Sequence, residues 1–591
     1  MELRKLPIGE QDFETLRREN RLYIDKTELI YQMVQDGTYY FLSRPRRFGK
    51  SLLLSTLETY FLGKRELFDG LYVSQVESEW AEHPVMHIDF SKQSYGSEQD
   101  LYDMLNLYLG GQEDIYGADT RETSVALRFA GVIERAYKKT GKGVVVLIDE
   151  YDKPLLQAIS EPAKQDAYRE ILRGFYGVLK GTNKYIRFAL LTGITKFSKI
   201  SIFSDLNNLR DISRTKQFAC LCGLTDEEVN KDLAPYIQRY AEEKNQSYGE
   251  AREQMQHMYD GYHFAADSLG LYNPFSLMNA LWWKECRGYW FESGTPTILV
   301  EMLKRQQYPL DSMEGSVNTT ALDNSGSVDT VVPLLFQSGY LSIDRMSDDG
   351  RICWLTFPNE EVRDGFFNFL LPYYSSIDGD DTNAAIDAFV ADVRSGNVEQ
   401  FLARLQSFFA DFQYDAQTTQ ESHFRNVLYI LCKLIGLQVE TEYQTSDGRI
   451  DLLIRTDKYV YVIECKIDST PQVALRQIKD KEYVLPWALD AREKILIGLN
   501  FSTKKRRPDG WIIERGDGTI VEKTVEKTVE KTSDKILALI KANPQITMKE
   551  IAQTLSMSER GVEEQIKVMR GKSIERVGGR KNGHWEIIPT N

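Results

Sequence analysis

Short apolar runs alternate with amphipathic segments of helix length in the first 210 residues of the chain. Four of these runs are Tyr39–Leu42, Val85–Ile88, Val144–Ile148 and Phe188–Leu191. Consecutive apolar residues are typical of strands that helices cover on both faces, as in a parallel sheet. The pattern therefore predicts a buried parallel sheet of the α/β class over residues 1–210.

From residue 211 to residue 410 the apolar positions follow a mostly helical spacing, and Phe, Tyr and Trp are frequent. One β-like interruption places Gly339–Ile343 and Arg351–Leu355 on either side of the turn residues Asp348–Gly350. We expect a helical lid or connector that carries a small winged element.

The order of elements changes again over residues 411–515. A helix from Glu421 to Leu434 precedes two apolar strands, Gly448–Arg455 and Tyr459–Lys466. A second helix then leads to the strand Lys494–Gly498. This order predicts a small α/β domain.

Three Val-Glu-Lys-Thr repeats occupy residues 521–532, within the segment 516–532. A period of four places the valines on a slowly drifting stripe of a helix with acid and base beside them, so the repeats predict a solvated helical linker. Residues 533–591 then contain two amphipathic segments, Ile546–Leu555 and Ser558–Met569, and a β-like tail. This final arrangement resembles a winged helix-turn-helix domain.

Composition narrows the class of protein. The chain has 591 residues, 42% hydrophobic and 27% charged, which is typical of a folded protein of several domains and excludes wholesale disorder. Its net charge of -14 argues against a protein that coats nucleic acid with its whole surface, although a local basic patch is compatible with it. Because no stretch approaches the roughly 18 apolar residues of a membrane span, we expect a cytoplasmic protein with no membrane partner.

The six cysteines are scattered along the chain, and we expect them to be reduced core thiols. Only Cys220 and Cys222 are closely spaced, and a C-x-C pair without a second pair is a poor zinc pattern.

The segment Arg44–Ser51 lies between a β-like run and a helical run, as a phosphate-binding loop does. Backbone N–H groups at the start of the helix would hold phosphates, and Gly49 would let the backbone come close to them. Lys50 would reach the β and γ oxygens, and the Ser51 hydroxyl would bind magnesium. The usual pattern has glycine where Arg44 stands, which reduces the freedom to adopt positive φ there, and a basic helix start is the alternative interpretation.

A second feature lies roughly 100 residues downstream, where the apolar strand Val144–Ile148 ends in two carboxylates. Asp149 would hold the water shell of Mg²⁺, and Glu150 would orient or deprotonate the attacking water. The strand Phe188–Leu191 ends in Thr192, a candidate sensor of the γ-phosphate. The three features in this order predict ATP binding.

These motifs resemble the AAA-ATPase-like proteins of bacteria and archaea that carry a C-terminal PD-(D/E)XK nuclease domain. The likeness covers about residues 5–500 and rests on the segments Tyr23–Thr27, Arg44–Ser51, Ile148–Pro154, Ser201–Leu209 and Tyr272–Ser276. It implies that the arginine-bearing loop is the family's own variant, that residues 1–210 form an AAA-like P-loop domain, and that residues 411–515 have a restriction-endonuclease-like α/β fold. It also implies a role in defence against mobile DNA or in DNA processing.

The nuclease-like segment has Asp451 on one strand and Glu464-Cys-Lys466 on the next. Residues two apart on a strand point to the same face, so Glu464 and Lys466 project together. Two converging carboxylates make an oxygen-rich site that suits Mg²⁺ or Mn²⁺. Lys466 would assist the nucleophile or stabilise charge in the transition state.

Two further residues belong to this candidate site. Glu421, on the preceding helix, would complete the metal site, and Gln477 lies on the following helix, where related nucleases often have a glutamine. Ile450 stands in place of the proline of the family name, which changes no ligand. The alternative interpretation is a surface salt bridge on an ordinary hairpin.

The C-terminal tail is basic: the sequence from Lys567 to Lys581 has six basic residues and one acidic residue, Glu575. This predicts contact with a phosphate backbone. The candidate recognition helix, however, carries Glu559, Glu563 and Glu564, which would repel a major groove. A protein-binding module is therefore the alternative.

Together these features predict a P-loop ATPase joined to a metal-dependent nuclease that acts on nucleic acid, DNA rather than RNA, with ATP gating or positioning the nuclease. Arg46 and Arg47 would steady phosphates, because guanidinium groups suit them. Arg210 would act as an arginine finger across the subunit interface of a homo-oligomer. One alternative is an ATP-dependent regulator with a catalytically silent nuclease fold. Another is a transcription-factor-like protein that uses the winged helix alone, against which the two acidic pairs argue.

Overall fold

The computed structural model divides the chain into two compact units, Met1–Tyr443 with Leu452–Val460 and Gln444–Asp451 with Tyr461–Asn591. Within the described part of the chain, no helix has the length and apolar character needed to cross a membrane. The structure describes residues 3–196, 208–291, 299–300, 302–303, 306, 308–323, 331–374, 379–410, 426–427, 429–431, 433–434, 438–445, 448–505, 507–523, 532–555, 562–563, 566–567, 569–570, 574–577 and 584–587.

A five-stranded sheet forms the centre of the N-terminal part, and all its neighbouring strands run parallel, in the order β2-β3-β4-β1-β5. The four apolar runs of the sequence are the first four strands, which confirms the predicted parallel sheet. Every residue of β1 and β3 is buried, because helices cover both faces. The strands are β1 (Tyr39–Ser43), β2 (Val85–Asp89), β3 (Val144–Asp149), β4 (Ile186–Gly193) and β5 (Arg210–Asp211).

The helices around this sheet bury its apolar side chains in one continuous core. Phe129 and Phe175 stack with ring centroids 4.4 Å apart, which packs two of these helices together. The helices are α1 (Phe13–Arg18), α2 (Thr27–Asp36), α3 (Lys50–Phe61), α4 (Val73–Val76), α5 (Glu98–Tyr116), α6 (Val125–Thr140), α7 (Lys153–Gln157) and α8 (Pro162–Gly181).

The following segment is mainly helical, as predicted. Its helices are α9 (Asp226–Glu228), α10 (Ala234–Lys244), α11 (Tyr248–Tyr259), α12 (Pro274–Trp283), α13 (Val331–Ser338), α14 (Glu360–Tyr374), α15 (Gly379–Ser395) and α16 (Val398–Ala410). A π-helical turn lies at Val229–Leu233, and single 3-10 turns of the chain lie at Arg65–Phe68, Phe90–Lys92, Asn183–Tyr185, Lys216–Leu221, Leu310–Ser312, Ala321–Asp323 and Leu485–Trp487.

The predicted winged element is present as an antiparallel sheet with the order β8-β10-β9. The sequence predicted the hairpin of β9 and β10 but not the third strand, because Gly315–Asn318 is short and carries no apolar run. The strands of this segment are β6 (Leu224–Thr225), β7 (Leu271–Tyr272), β8 (Gly315–Asn318), β9 (Ser342–Met346) and β10 (Ile352–Thr356).

Residues 438–523 form a six-stranded sheet in which the strands follow one another in sequence order. The two predicted strands and the strand after them are present here, and helix α17 (Pro471–Asp480) lies in the chain between β13 and β14. The strands are β11 (Gln438–Thr445), β12 (Gly448–Arg455), β13 (Tyr459–Ile467), β14 (Glu493–Ser502), β15 (Arg507–Arg515) and β16 (Ile520–Lys523).

The helical prediction for the Val-Glu-Lys-Thr segment is wrong for residues 521–523, which form a strand, whereas Thr532, its last residue, begins a helix. Ile520–Lys523 pairs antiparallel with β15, with Val521 opposite Ile513. The Lys523 ammonium lies 4.4 Å from the centroid of the Trp511 ring. Backbone pairing with an available strand edge outweighs the four-residue period, and valine fits a pleated strand well. Residues 524–531 lie outside the described residues.

The C-terminal segment has two helices, α18 (Thr532–Ala542) and α19 (Met548–Thr554), and the antiparallel hairpin of β17 (Ile574–Val577) and β18 (His584–Ile587). This confirms the predicted winged helix. The described residues of the predicted second helix, 562–563, 566–567 and 569, are helical. Three of the six basic residues of the tail, Lys572, Arg580 and Lys581, lie outside the described residues, as do Ser558, Glu559 and Glu564.

Trp585 anchors the hairpin to the helices of this segment. Its indole N–H donates to the Ile546 carbonyl at 3.1 Å, and its backbone N–H donates to the Pro544 carbonyl at 2.7 Å. Only 3% of the residue is exposed, within an apolar cluster that includes Ile551 and Ile574.

We expect Trp585→Ala to destabilise this segment by about 3–5 kcal/mol, because the substitution leaves a cavity in a small core. The measurement is native-state limited proteolysis of the full chain, with the released fragments identified by mass spectrometry. Trp282→Ala is the control, since Trp282 is 50% exposed on α12. Equal proteolysis of the two variants would contradict the anchoring role.

Candidate functional site

The loop between β1 and α3 ends at Gly49, which caps the helix with φ of 91°. This left-handed conformation favours glycine, and Lys50 and Ser51 follow it in the first turn of α3. Arg47 also has positive φ, at 69°, and its guanidinium lies 4.7 Å from the centroid of the Phe275 ring. The loop therefore turns sharply into the helix and directs the first backbone N–H groups of α3 outward, as a phosphate site requires.

Arg44 occupies the position of the missing glycine, and its side chain is buried in the core. The guanidinium donates to the carbonyl oxygens of Ser213 at 2.7 Å and Ala219 at 3.2 Å. It also lies 4.2 Å from the centroid of the Phe264 ring. Burial lowers the pKa of Arg44 to about 10. The backbone of Arg44 is not among the positive-φ residues, so the loop needs no glycine there.

The Lys50 ammonium is also buried. It donates to the carbonyl oxygens of Arg44 and Pro45, both at 2.9 Å. Burial lowers the pKa of Lys50, while the charges of Asp149 and Glu150 act in the opposite direction. Carbonyl oxygens carry no full charge, so an anionic group beside this amine would offset more of its desolvation.

The Asp149 carboxylate joins three separate segments at the carboxyl edge of the sheet. One oxygen accepts from the Ser51 hydroxyl at 2.6 Å. The other accepts from the Thr192 hydroxyl at 2.6 Å and from the Glu150 backbone N–H at 3.0 Å. The residues predicted for magnesium and for γ-phosphate sensing are thus within hydrogen-bond distance of one another.

Glu150 has φ of 50°, an unfavourable backbone conformation for a residue with a side chain. Burial raises the pKa of its carboxyl above the ordinary value, against the charge of Lys50. Strained residues of this kind concentrate at functional sites, and a raised pKa suits a carboxylate to proton transfer near neutral pH.

Asp152 is a buried residue of the site that the sequence analysis did not assign. Its carboxylate accepts from the backbone N–H and the hydroxyl of Thr195, both at 2.6 Å, and from the Ile194 backbone N–H at 3.1 Å. These bonds hold the chain directly after Thr192. The available signal was a second aspartate three residues after Asp149, but its partners are more than 40 residues away in the sequence.

A cleft of about 920 Å³ opens at this edge of the sheet, lined by Arg46, Arg47, Gly49, Lys50, Ser51, Asp149 and Glu150 among other residues. It also contacts Gly9–Gln11, near the N-terminus. These same N-terminal residues line a second, mostly apolar chamber of about 160 Å³, together with Leu22, Leu52, Phe275 and Met278. The polar cleft and the apolar chamber share Arg47 and Gly49, so they meet at the loop.

The nuclease-like site centres on Glu464, a residue of β13 that is 1% exposed. One carboxylate oxygen accepts from the Lys466 ammonium at 2.7 Å and from the Gln477 amide. The other oxygen is buried and has no hydrogen-bond partner among the described residues. Burial and the charge of Asp451 raise the pKa of Glu464, and Lys466 opposes them.

Two contacts position the surrounding groups. The Asp451 carboxylate accepts from the Cys465 backbone N–H at 2.9 Å, which places it beside β13. The Gln477 amide also contacts the hydroxyl of the buried Tyr483 at 3.3 Å, a residue that the sequence analysis did not single out. Only an aromatic residue six positions after Gln477 was visible in the sequence.

Three family models match parts of the chain. They are described as predicted AAA-ATPase, over residues 7–203, PD-(D/E)XK nuclease superfamily, over residues 419–511, and winged helix-turn-helix DNA-binding, over residues 530–571. A protein of Azotobacter chroococcum mcd 1, described as an uncharacterized protein in the vnfD 5' region, is 36% identical over 533 residues, which is 87% of this chain and 99% of that protein. The chain belongs to the AAA-ATPase-like family with a C-terminal PD-(D/E)XK nuclease domain. No solved structure matches it.

In this AAA-ATPase-like chain, Asp149 contacts Ser51, Glu150 and Thr192 at one site, and Glu464 contacts Lys466 and Gln477 at the other, where Asp451 bonds the Cys465 backbone. Glu421 lies outside the described residues, and among the described ones no three His, Cys, Asp or Glu side chains are grouped as a metal site. Arg210 lies away from the cleft: it pairs with Tyr40 on β1, and its guanidinium donates to the Asp36 carbonyl at 2.9 Å. Its role as an arginine finger stays a prediction, as do the domain boundaries. Cys220 and Cys222 are free thiols.

We expect Arg44→Gly, which introduces the usual glycine, to destabilise the protein by at least about 2 kcal/mol, because it leaves buried carbonyl groups without donors. Differential scanning calorimetry would measure the loss. Arg46→Gly is the matched control for the added backbone freedom, since the Arg46 side chain is exposed. Equal melting temperatures for the two variants would show that Arg44 is dispensable for folding.

Proposed function

We propose that this protein binds and hydrolyses ATP in the cleft of its parallel sheet and cleaves nucleic acid, with DNA as the substrate, at the site of Asp451, Glu464 and Lys466. The observation that carries the proposal is the convergence of the Ser51 and Thr192 hydroxyls on the Asp149 carboxylate. Hydroxyl and carboxylate oxygens in this arrangement, beside a helix N-terminus and a buried lysine, match the requirements of a nucleoside triphosphate.

The phosphates would lie against the first turn of α3. The backbone N–H groups after Gly49 and the Lys50 ammonium are the donors for them, and Lys50 would exchange its carbonyl contacts for phosphate oxygens. Arg46 and Arg47 line the same cleft and would contribute further positive charge. This arrangement favours a polyphosphate over a single carboxylate ligand.

The apolar chamber supports a nucleotide rather than an inorganic polyphosphate. It is continuous with the loop at Arg47 and Gly49, and apolar side chains including Leu22, Phe275 and Met278 line it. A planar base would replace water there and gain hydrophobic contact with these side chains. The phosphates and the base would then occupy adjacent chambers on either side of the loop.

In hydrolysis, Glu150 would accept the proton of the attacking water, and its raised pKa favours that role. Thr192 is buried and its hydroxyl donates to Asp149, so it would act on the γ-phosphate through that carboxylate. Ser51 and Asp149 offer the oxygen donors that Mg²⁺ prefers, so these residues fit the ion. When bound, Mg²⁺ would neutralise charge on the β- and γ-phosphates.

At the nuclease-like site, Glu464 and Asp451 would hold Mg²⁺ or Mn²⁺, and the unpartnered buried oxygen of Glu464 supports this assignment. When bound, the metal ion would activate water and polarise the phosphate. Lys466 would orient the nucleophile or stabilise the developing charge, and Gln477 would keep the Glu464 carboxylate in place. Glu421 is the further ligand proposed from the sequence.

We also propose that ATP binding gates or positions the nuclease. The protein would act in the cytoplasm and form a homo-oligomer. The family resemblance supports a role in defence against mobile DNA or in DNA processing, and the match to a DNA-binding winged helix supports DNA as the substrate.

We expect Lys50→Ala to lower kcat/KM for ATP hydrolysis by about 100-fold or more, because it removes a charged donor to the phosphates. Steady-state phosphate release would measure the change. Lys180→Ala, an exposed lysine on α8, is the matched control and should hydrolyse ATP at the wild-type rate. ATP turnover that survives in Lys50→Ala would contradict the proposed phosphate site.

We expect Lys466→Ala to reduce cleavage of DNA in Mg²⁺ or Mn²⁺ by about 100-fold or more, through loss of charge stabilisation. The assay compares single- and double-stranded DNA and RNA, with and without ATP. Lys458→Ala, an exposed lysine in the turn before β13, is the control. Absence of cleavage by the wild type, with ATP hydrolysis intact, would instead indicate the ATP-dependent regulator with a silent nuclease fold.

A further inference from the structure

A turn with two exposed lysines, Lys504 and Lys505, follows β14, and the next two residues of the sequence, Arg506 and Arg507, are also basic, in a chain whose net charge is -14. Strands β14 and β15 pair antiparallel up to Ser502 and Arg507, so the turn lies beyond the paired ends of these strands. Positive charge concentrated on a turn of an acidic protein is a local feature that net charge conceals. The winged helix and the nuclease residues do not account for it.

Hydrogen bonds place this turn beside the catalytic end of β13. The Asp468 backbone N–H donates to the Phe501 carbonyl at 2.9 Å, so the ends of β13 and β14 lie together. The Asp468 carboxylate accepts from the Thr503 backbone N–H at 2.9 Å and from the Thr503 hydroxyl. A third bond, from the Ser469 backbone N–H to the Asn500 side chain at 2.8 Å, fixes the same junction.

The distance to the nuclease-like site is short. Asp468 lies two residues after Lys466, and two residues of extended chain span about 7 Å. Lys504 directly follows Thr503, the residue that Asp468 holds. The basic turn and the Lys466 ammonium are therefore anchored to neighbouring strand ends at one edge of the sheet.

The charges of the turn are available to a ligand to different degrees. Lys504 is exposed and has no hydrogen bond or ion pair to the residues that the structure describes. Lys505 is exposed as well, but it pairs with Asp509 at 2.9 Å. The carboxylate of Asp468, the residue after β13, is already bonded to Thr503, and those bonds lower its pKa. An anion would thus meet Lys504 first.

We propose that this basic turn binds the phosphodiester backbone of the DNA strand that enters the nuclease-like site. The inference rests on the proposed nuclease function and names the surface that holds the substrate beside Lys466. The contact is to phosphates, so it supplies affinity and position but no sequence preference. The bonds from Thr503 to Asp468 hold the turn in place beside β13, so the lysines that follow Thr503 start from a fixed position.

The test is binding of the full chain to a fluorescent DNA duplex in EDTA, across a range of salt concentrations, for the wild type and Lys504→Ala. Removing one phosphate contact should weaken binding roughly three- to tenfold at low salt and reduce the slope of log K against log salt by about 0.9. Lys504→Ala with Lys505→Ala should lose more. In Mg²⁺ the variants should show a higher KM for cleavage and an unchanged kcat.

Lys458→Ala is the matched control, because Lys458 is an exposed lysine in a turn at the opposite end of β13, roughly 25 Å away along the strand. If the Lys504 variants bind DNA with the affinity and salt slope of the wild type, and the wild type cleaves DNA, the proposal that the basic turn binds DNA is wrong while the proposed nuclease function stands. A wild type that neither binds nor cleaves would overturn both proposals. The same binding measurement with an RNA duplex distinguishes DNA from RNA as the ligand. If the Lys504 variants lose affinity only for RNA, DNA is not the ligand of the basic turn.

Discussion

The Asp149 carboxylate is the group on which the geometry of the cleft depends. Burying a carboxylate costs free energy unless each of its oxygens has a hydrogen-bond partner. Here the partners are hydroxyls from α3 and β4 and one backbone N–H. Those bonds fix the first turn of α3 and the ends of β3 and β4 relative to one another. Asp152 extends the same principle to Thr195, so two buried acids hold the ends of β3 and β4 and the chain directly after β4.

The nuclease-like site also centres on a buried carboxylate, but this carboxylate has fewer hydrogen-bond partners. Glu464 is also a buried carboxylate near the end of a strand, but only one of its oxygens is satisfied by the described residues. Both oxygens of Asp149 therefore have partners, whereas one oxygen of Glu464 has none among the described residues. This difference is the observation behind the metal ion proposed at Glu464.

Prediction from the sequence succeeded where the signal is local. The strands of the parallel sheet and the common face of Glu464 and Lys466 follow from apolar runs and the two-residue period of a strand. The choice of Gln477 on the following helix came from the family resemblance. It failed for Ile520–Lys523, where an available strand edge outweighed the helical period. The doubt about Arg44 had the same origin, since the contacts of its guanidinium lie some 170 residues downstream.

Neighbouring positions along the chain are enough to set the order of the domains, the strands that carry the acidic residues and the types of side chain at each candidate site. The packing of the fold is needed to bring distant partners together: Asp152 with Thr195, Tyr483 with Gln477, and Asp468 with the basic turn at Thr503. Such contacts join residues that are distant along the chain or separated by a turn. They form because packing brings strand ends together and each buried polar group must then find a partner.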